Sequence, residues 1–285
     1  MAKSLTMAGG QAAPQQQRNG NLLRRIIGFV VVVVLFVLLW EGVKALFALP
    51  DYKLPHISMI FEALSRPTPK GMTLWVLLSD TLYTGFEAVL GFVLGGVSGF
   101  LLAVLFVHVK PAERGLLPYV IASQTVPIIA IAPMIVVGIG RIGAPPWLAK
   151  SIIAAYLTFF PVTINVLRGL TSVQQDQLAL MHSYAASKAE VFFKLRLPAS
   201  VPFLFTALKI SATASVIGAI IGELPVGSAR GLGVQLVVGS QYNTFNPGFL
   251  WATILMAALL GLVFYGVVAL IERWVVRWRA PEQND

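Results

Sequence analysis

Cysteine is absent from this 285-residue chain, which excludes disulfide cross-links, thiol catalysis and thiolate metal sites. Only three histidines occur, His56, His108 and His182, too far apart to suggest a histidine metal centre, so no metal site is expected. Charge is also scarce. Charged residues make up 12% of the chain, against about a quarter in a soluble domain. Hydrophobic residues supply 57%, the mean hydropathy is +0.79, and several apolar runs approach or exceed the roughly 18–20 residues that cross a bilayer as helix. The pattern predicts an all-α integral membrane protein. No GxxxxGK[ST] phosphate loop is present, so ATP hydrolysis by that route is excluded for this chain.

Residues 1–21, rich in Gln, Gly and Ala, carry too little apolar surface to bury and are expected to form a disordered tail. Residues 22–77 contain a first span after Arg24 and Arg25, then an outer amphipathic segment. The apolar run is too long for the core of a cleaved signal peptide, the competing reading. In the outer segment Ile57, Ile60, Phe61 and Leu64 have helical spacing, with prolines on both sides. Residues 78–275 hold five further spans, near 78–107, 117–140, 147–168, 200–222 and 248–271, and 276–285 form a second tail.

Six spans put both termini on one side. With the termini in the cytoplasm, Lys3, Arg18, Arg24, Arg25, Lys110, Arg114, Arg168, Lys188, Lys194, Arg196, Arg273, Arg277 and Arg279 lie inside. Fewer lie outside: Lys44, Lys53, Arg66, Lys70, Arg141, Lys150 and Arg230. The bias follows the positive-inside rule. It accounts for the net charge of +9 without a nucleic-acid partner.

Gly91, Gly95 and Gly99 recur every four residues in the second span, a face without side chains that lets another helix approach closely. The third span carries Pro118, Pro127 and Pro133, with Ser123, Gln124 and Thr125 between the first two. Proline removes intrahelical hydrogen bonds, and the freed carbonyls need polar neighbours or a wet cavity, as in a translocation path. Gln124, Thr125, Asn165 and Glu223 are pathway candidates on polarity alone. Asp80 is expected at the interface, Glu87 deeper, and Lys209 reaching toward the inner headgroups. No chain of acids crosses the bilayer, which argues against a proton-driven carrier.

Between Arg168 and Pro198 the chain leaves the membrane in "RGLTSVQQDQLALMHSYAASKAEVFFKLRLP". Mixed polar and apolar residues predict two short cytoplasmic helices joined by a turn near Tyr184–Ser187, with Pro198 and Pro202 restarting the chain into the fifth span. Tyr184, Val191, Phe192 and Phe193 would leave apolar surface exposed, so a partner is expected there.

This loop, at about 169–199, resembles the EAA loop of binding-protein-dependent ABC importer permeases, which reads Glu-Ala-Ala, three residues, Gly, and later Leu-Pro. Ala185 stands at the glycine position, Leu197-Pro198 match the closing pair, and Ala179, Leu180 and Met181 replace the opening Glu-Ala-Ala. "LPHISMIFEAL", "VPIIAIAPMIVVGIG" and "GELPVGSARGLGVQL" resemble other family stretches in the right order, over roughly residues 50–275. The likeness is to the nitrate/sulfonate/taurine branch, and within it to permeases for pyrimidine thiamine precursors.

The resemblance implies a six-span type I permease of the bacterial inner membrane, paired with a second permease subunit as a homodimer. A separate ABC ATPase carries ATP and Mg, and a periplasmic or lipid-tethered binding protein delivers the solute. Lipid surrounds the chain, which binds no cofactor itself. Tyr184, Ala185, Ala186, Ser187, Lys188, Glu190, Leu197 and Pro198 would couple to the ATPase. The solute would be a heterocycle of the pyrimidine type or a nitrate-, sulfonate- or taurine-like anion. An ion-coupled secondary transporter is the alternative. A membrane enzyme or an inert scaffold would explain fewer of the features.

Overall fold

Hydropathy dictates that the long apolar runs become helices, because in lipid each backbone polar group must be satisfied within its own segment. The computed structural model describes residues 15–69, 71–225 and 228–276. The expected tails lie outside the described residues over 1–14 and 277–285. Residues 15–21 depart from the expectation: they extend the first helix, α1 (Gln15–Leu46). A short amphipathic helix follows, α2 (Ile57–Ser65), then a two-residue hairpin, β1 (Pro67–Thr68) and β2 (Gly71–Met72). The bundle comprises α3 (Thr73–His108), α4 (Lys110–Ser123), α5 (Ile128–Arg141) and α6 (Pro146–Thr171). Next come α7 (Gln175–Ser183), α8 (Lys188–Val191), a π-helical turn (Phe192–Arg196) and α9 (Leu197–Glu223). α10 (Leu232–Gln241) and α11 (Pro247–Val275) are the last helices among the described residues. α10, on the stretch between the last two spans, was not legible in the sequence.

Among the described residues five helical stretches are long and apolar enough to cross a membrane, and α4 with α5 supplies a sixth if the pair is one span. The third span is broken where its prolines predict irregular helix: α4 and α5 meet at 99°. Pro127 has no N–H to continue a helix, and it drives the preceding Val126 out of helical geometry. The Ser123 and Thr125 hydroxyls take up the carbonyls of Val120 and Ala122, and the Tyr156 hydroxyl bonds Ser123 O from α6.

α3, α6 and α9 form the packed centre. A Cβ on Gly91 would lie 2.3 Å from the Ala154 Cβ, one on Gly95 2.5 Å from Ala155 O, and one on Gly99 2.5 Å from Phe159 O. The bare face of α3 therefore lies on α6 of the same chain, where van der Waals contact holds the pair. Nearer the loop end, Ala103, Phe106, Val162, Val166, Leu170 and Ala207 make a continuous apolar core. α1 leaves most of its apolar side chains exposed, as suits a lipid-facing helix. Its far end is tied down. Trp40 donates to Pro55 O at 2.9 Å and meets Trp251 edge-on, and Glu41 accepts from Ile57 N at 3.0 Å at the start of α2. Lys44 bonds Asp51 and the Leu54 carbonyl. That bond holds the Asp51 carboxyl below the usual carboxylate range.

Candidate functional site

The loop after α6 is built as a rigid corner. α7 ends in a Schellman arrangement: Ala186 N donates to Met181 O at 3.0 Å and Ala185 N to His182 O at 2.9 Å. That closure needs a left-handed residue, and Ala185 occupies it at φ +53°. Two residues later Ser187 begins the next helix with a capping box. Its hydroxyl accepts from Glu190 N at 3.3 Å, and its own N–H donates to the Glu190 carboxylate at 2.9 Å. Lys194 Nζ holds the other Glu190 oxygen at 2.9 Å. Tyr184–Ser187 is thus a turn fixed at both ends by hydrogen bonds.

Beyond the turn the structure corrects the sequence reading twice. The second helix is not a separate cytoplasmic element. From Lys188 to Glu223 the chain is one continuous helical rod of 36 residues, and Pro198 and Pro202 do not interrupt it. The π turn at Phe192–Arg196 explains the continuity: widening the coil just before Pro198 makes room for its ring and for carbonyls left without an N–H partner. Val191 and Phe192 are not exposed to a partner either. Both are buried, Phe192 in the core formed by α3, α6 and α9 and against the His108 ring. Leu180, Tyr184 and Phe193 remain exposed, Tyr184 at 78%. Of the expected loop residues, Ala185, Ser187, Lys188 and Pro198 are exposed, while Ala186, Glu190 and Leu197 are half-buried.

A second polar centre lies at the opposite end of the bundle, where α3 and α6 begin and α9 ends. Lys150, expected outside, is 2% exposed and sits 3.2 Å from the fully buried carboxylate of Glu87. No well-directed hydrogen bond reaches either Glu87 oxygen among the described residues. The Glu223 carboxyl adjoins it. Glu223 accepts from Thr84 Oγ1 at 2.7 Å and from Gly233 N at 2.6 Å, and Thr84 accepts from Leu232 N at 2.9 Å. These bonds dock the N-terminus of α10 onto α3 and α9. Gly231 is required there: its φ is +120°, and a Cβ would fall 2.0 Å from Glu223 Oε1. Alongside, Asp80 is buried rather than interfacial, accepting from Gln235 at 2.6 Å and facing Arg230 at 3.7 Å. Arg230 also stacks over Tyr83 and bonds Ser79.

The four pathway candidates are not brought together by hydrogen bonds among the described residues. Gln124 and Thr125 are exposed in the break between α4 and α5, and Asn165 is half-buried, donating to Pro161 O of its own helix at 2.8 Å. Glu223 is buried as a tie between helices. Lys209 does not reach for headgroups alone but pairs with Glu272 of α11 at 2.7 Å. Sequence reasoning missed Thr84, Lys150 and Arg230. Lys150 and Glu87 in apolar helices were the available signal, since buried charge demands a partner.

A multi-span bundle with a proline-broken span and a rigid corner rooted in its core defines a membrane transport subunit. The chain belongs to the binding-protein-dependent transport system inner membrane component family, whose sequence profile matches residues 91–277. It is 32% identical to the formylaminopyrimidine transport permease protein ThiX of Halalkalibacterium halodurans over 232 residues, 79% of this chain and 90% of that one. It is 26% identical to the riboflavin transport system permease protein RibX of Chloroflexus aurantiacus, over 89% of this chain and 91% of the relative. Sulfonate, taurine and nitrate permeases are also similar. Among solved structures, an inward-facing MetNI methionine ABC transporter shares the fold, with a TM-score of 0.55, 21% identity, and 71% of this chain covering 97% of that one. The protein is a multi-pass permease subunit of an ABC importer of the inner membrane, and its family works with an ATPase and a solute-binding protein.

Proposed function

We propose that two copies of this chain form the translocation path and that a separate ATPase grips the Tyr184–Ser187 corner from the cytoplasm. The carrying observation is the corner itself. Capped on both sides, it exposes Leu180, Tyr184 and Phe193, while Phe192 of the same rod is anchored in the core. A push on the exposed face therefore reaches α3, α6 and α9 as a rigid-body displacement, the kind of motion that alternating access needs. Ala185, Ala186, Lys188 and Glu190 lie at the contact. Leu197 and Pro198 belong to the same coupling segment, just beyond the π turn. Hydrolysis of ATP, with its Mg, belongs to the partner, because the chain has no phosphate loop. Both termini lie in the cytoplasm, as the basic residues at the span ends indicate.

The solute is a small heterocycle. This follows the relatives named for formylaminopyrimidine and riboflavin, which cover most of the chain. A sulfonate-, taurine- or nitrate-like anion is the second reading, on the more distant relatives. Purified binding protein screened against both classes separates them. The coupling assignment is tested by Ala185→Glu and Ala186→Glu in the reconstituted importer. Uptake is lost while the chain still folds and hydrolysis persists uncoupled. Unchanged uptake removes the docking role.

A further inference from the structure

We propose that the cavity behind the coupling corner is a binding site for a phosphate-type anion, supplied by an anionic lipid headgroup of the inner leaflet. The cavity measures about 340 Å³ and lies between the end of α3, α7, and the rod that begins at Lys188. His108, His182, Lys188 and Arg196 line it, with no carboxylate among the lining residues, and Val191 and Phe192 form its apolar floor. Lys188 and His182 have no hydrogen-bond or ion-pair partner among the described residues, so their donors are free. The nearby Glu190 carboxylate is already held by Ser187 and Lys194. Arg196 spends one N–H on Leu170 O at 3.4 Å and keeps its others, while His108 Nδ1 donates to Val104 O at 2.8 Å.

Position selects the lipid over the ATPase. Ala186 and Lys188 of the contact line the cavity, but the exposed apolar side chains of the docking face, Leu180, Tyr184 and Phe193, do not; Val107 and His108 at the end of α3 do. The bilayer core takes about 20 helical residues. Counted from Glu223, that places its inner edge near Phe203 and leaves Arg196 about two turns beyond, at headgroup level. Basic pockets on the cytoplasmic side of helical bundles attract anionic headgroups, and an apolar floor suits the adjoining glycerol and acyl carbons. The bound headgroup would brace the corner against the membrane surface. Assignment to the inner leaflet rests on the cytoplasmic placement of the corner proposed above.

The test uses the full chain reconstituted in mixed phosphatidylglycerol and phosphatidylcholine vesicles, extracted gently, with bound lipid counted by native mass spectrometry. Phosphatidylglycerol is expected to be enriched several-fold on the wild-type chain. The Lys188→Gln/Arg196→Gln variant should lose about five-fold per cation removed. Lys53→Gln, an exposed lysine at the other end of the molecule, should lose nothing. Equal enrichment in the wild type and the double variant overturns the site. Inorganic phosphate bound in pure phosphatidylcholine, without preference for phosphatidylglycerol, keeps the anion chemistry but overturns the lipid source. Because the chain has no cysteine, Ala189→Cys labelled by an impermeant maleimide reports the side of the corner separately. External labelling overturns the placement of the corner, whatever lipid is bound.

Discussion

Ala185→Gly should stabilise the coupling corner. Ala185 sits at φ +53°, where a Cβ crowds the following carbonyl, at a cost of roughly 1–2 kcal/mol that glycine avoids. Glycine also gives the unfolded chain more freedom, which offsets about 0.4–1 kcal/mol. The net gain is therefore about 0.5–1 kcal/mol, confined to the turn. Native-state hydrogen exchange of the membrane-embedded chain reads it directly. The amides of Ala186 and of the residue at 185 close onto Met181 O and His182 O, and both should exchange about two- to five-fold more slowly if local opening limits them. Ala185→Val should have the opposite effect, since a β-branched residue tolerates φ > 0 least. Unchanged or faster exchange in the glycine variant would refute the claim that the turn is strained at this position.

Other perturbations address the opposite end of the bundle and the helix contact. Lys150→Met leaves the Glu87 carboxylate buried without its partner, and should cost about 3–5 kcal/mol in thermal unfolding in detergent. The Lys150→Met/Glu87→Leu pair should recover most of that loss. Gly231→Ala drives a Cβ into the Glu223 carboxyl; a strain of about 1–3 kcal/mol should free the start of α10, read as new protease cleavage near residue 230. Gly95→Leu must push α3 away from the Ala155 backbone. It should destabilise the bundle by at least about 1–3 kcal/mol, seen as a lower melting temperature.

Much of the loop was legible because its signals are local. The turn at Tyr184–Ser187 falls where two helical patterns meet, although the Ser187–Glu190 capping box that fixes it went unread. The spacing of Ile57, Ile60, Phe61 and Leu64 located α2 for the same reason. The continuity of the rod through Pro198 was not legible, because proline reads as a break unless a π turn absorbs it. The fate of Val191 and Phe192 was hidden too: a helix shows its apolar face in sequence, but not whether its own bundle or another protein covers that face. Lys150 was read only as an outer-side cation because its carboxylate partner lies on another span, at Glu87.

The sequence by itself determined that the chain is a multi-span membrane protein, where most spans lie, and where its loop turns. Hydropathy, caps and prolines act through neighbouring residues. The tertiary structure alone decided the 99° angle at which α4 and α5 meet, the lodging of Phe192 in the core, and the clustering of Thr84, Glu87, Lys150, Glu223 and Gly231 at the far end. Each of these depends on which helices approach one another, and in a bilayer that is settled by shape and by the pairing of buried polar groups, which no local pattern records.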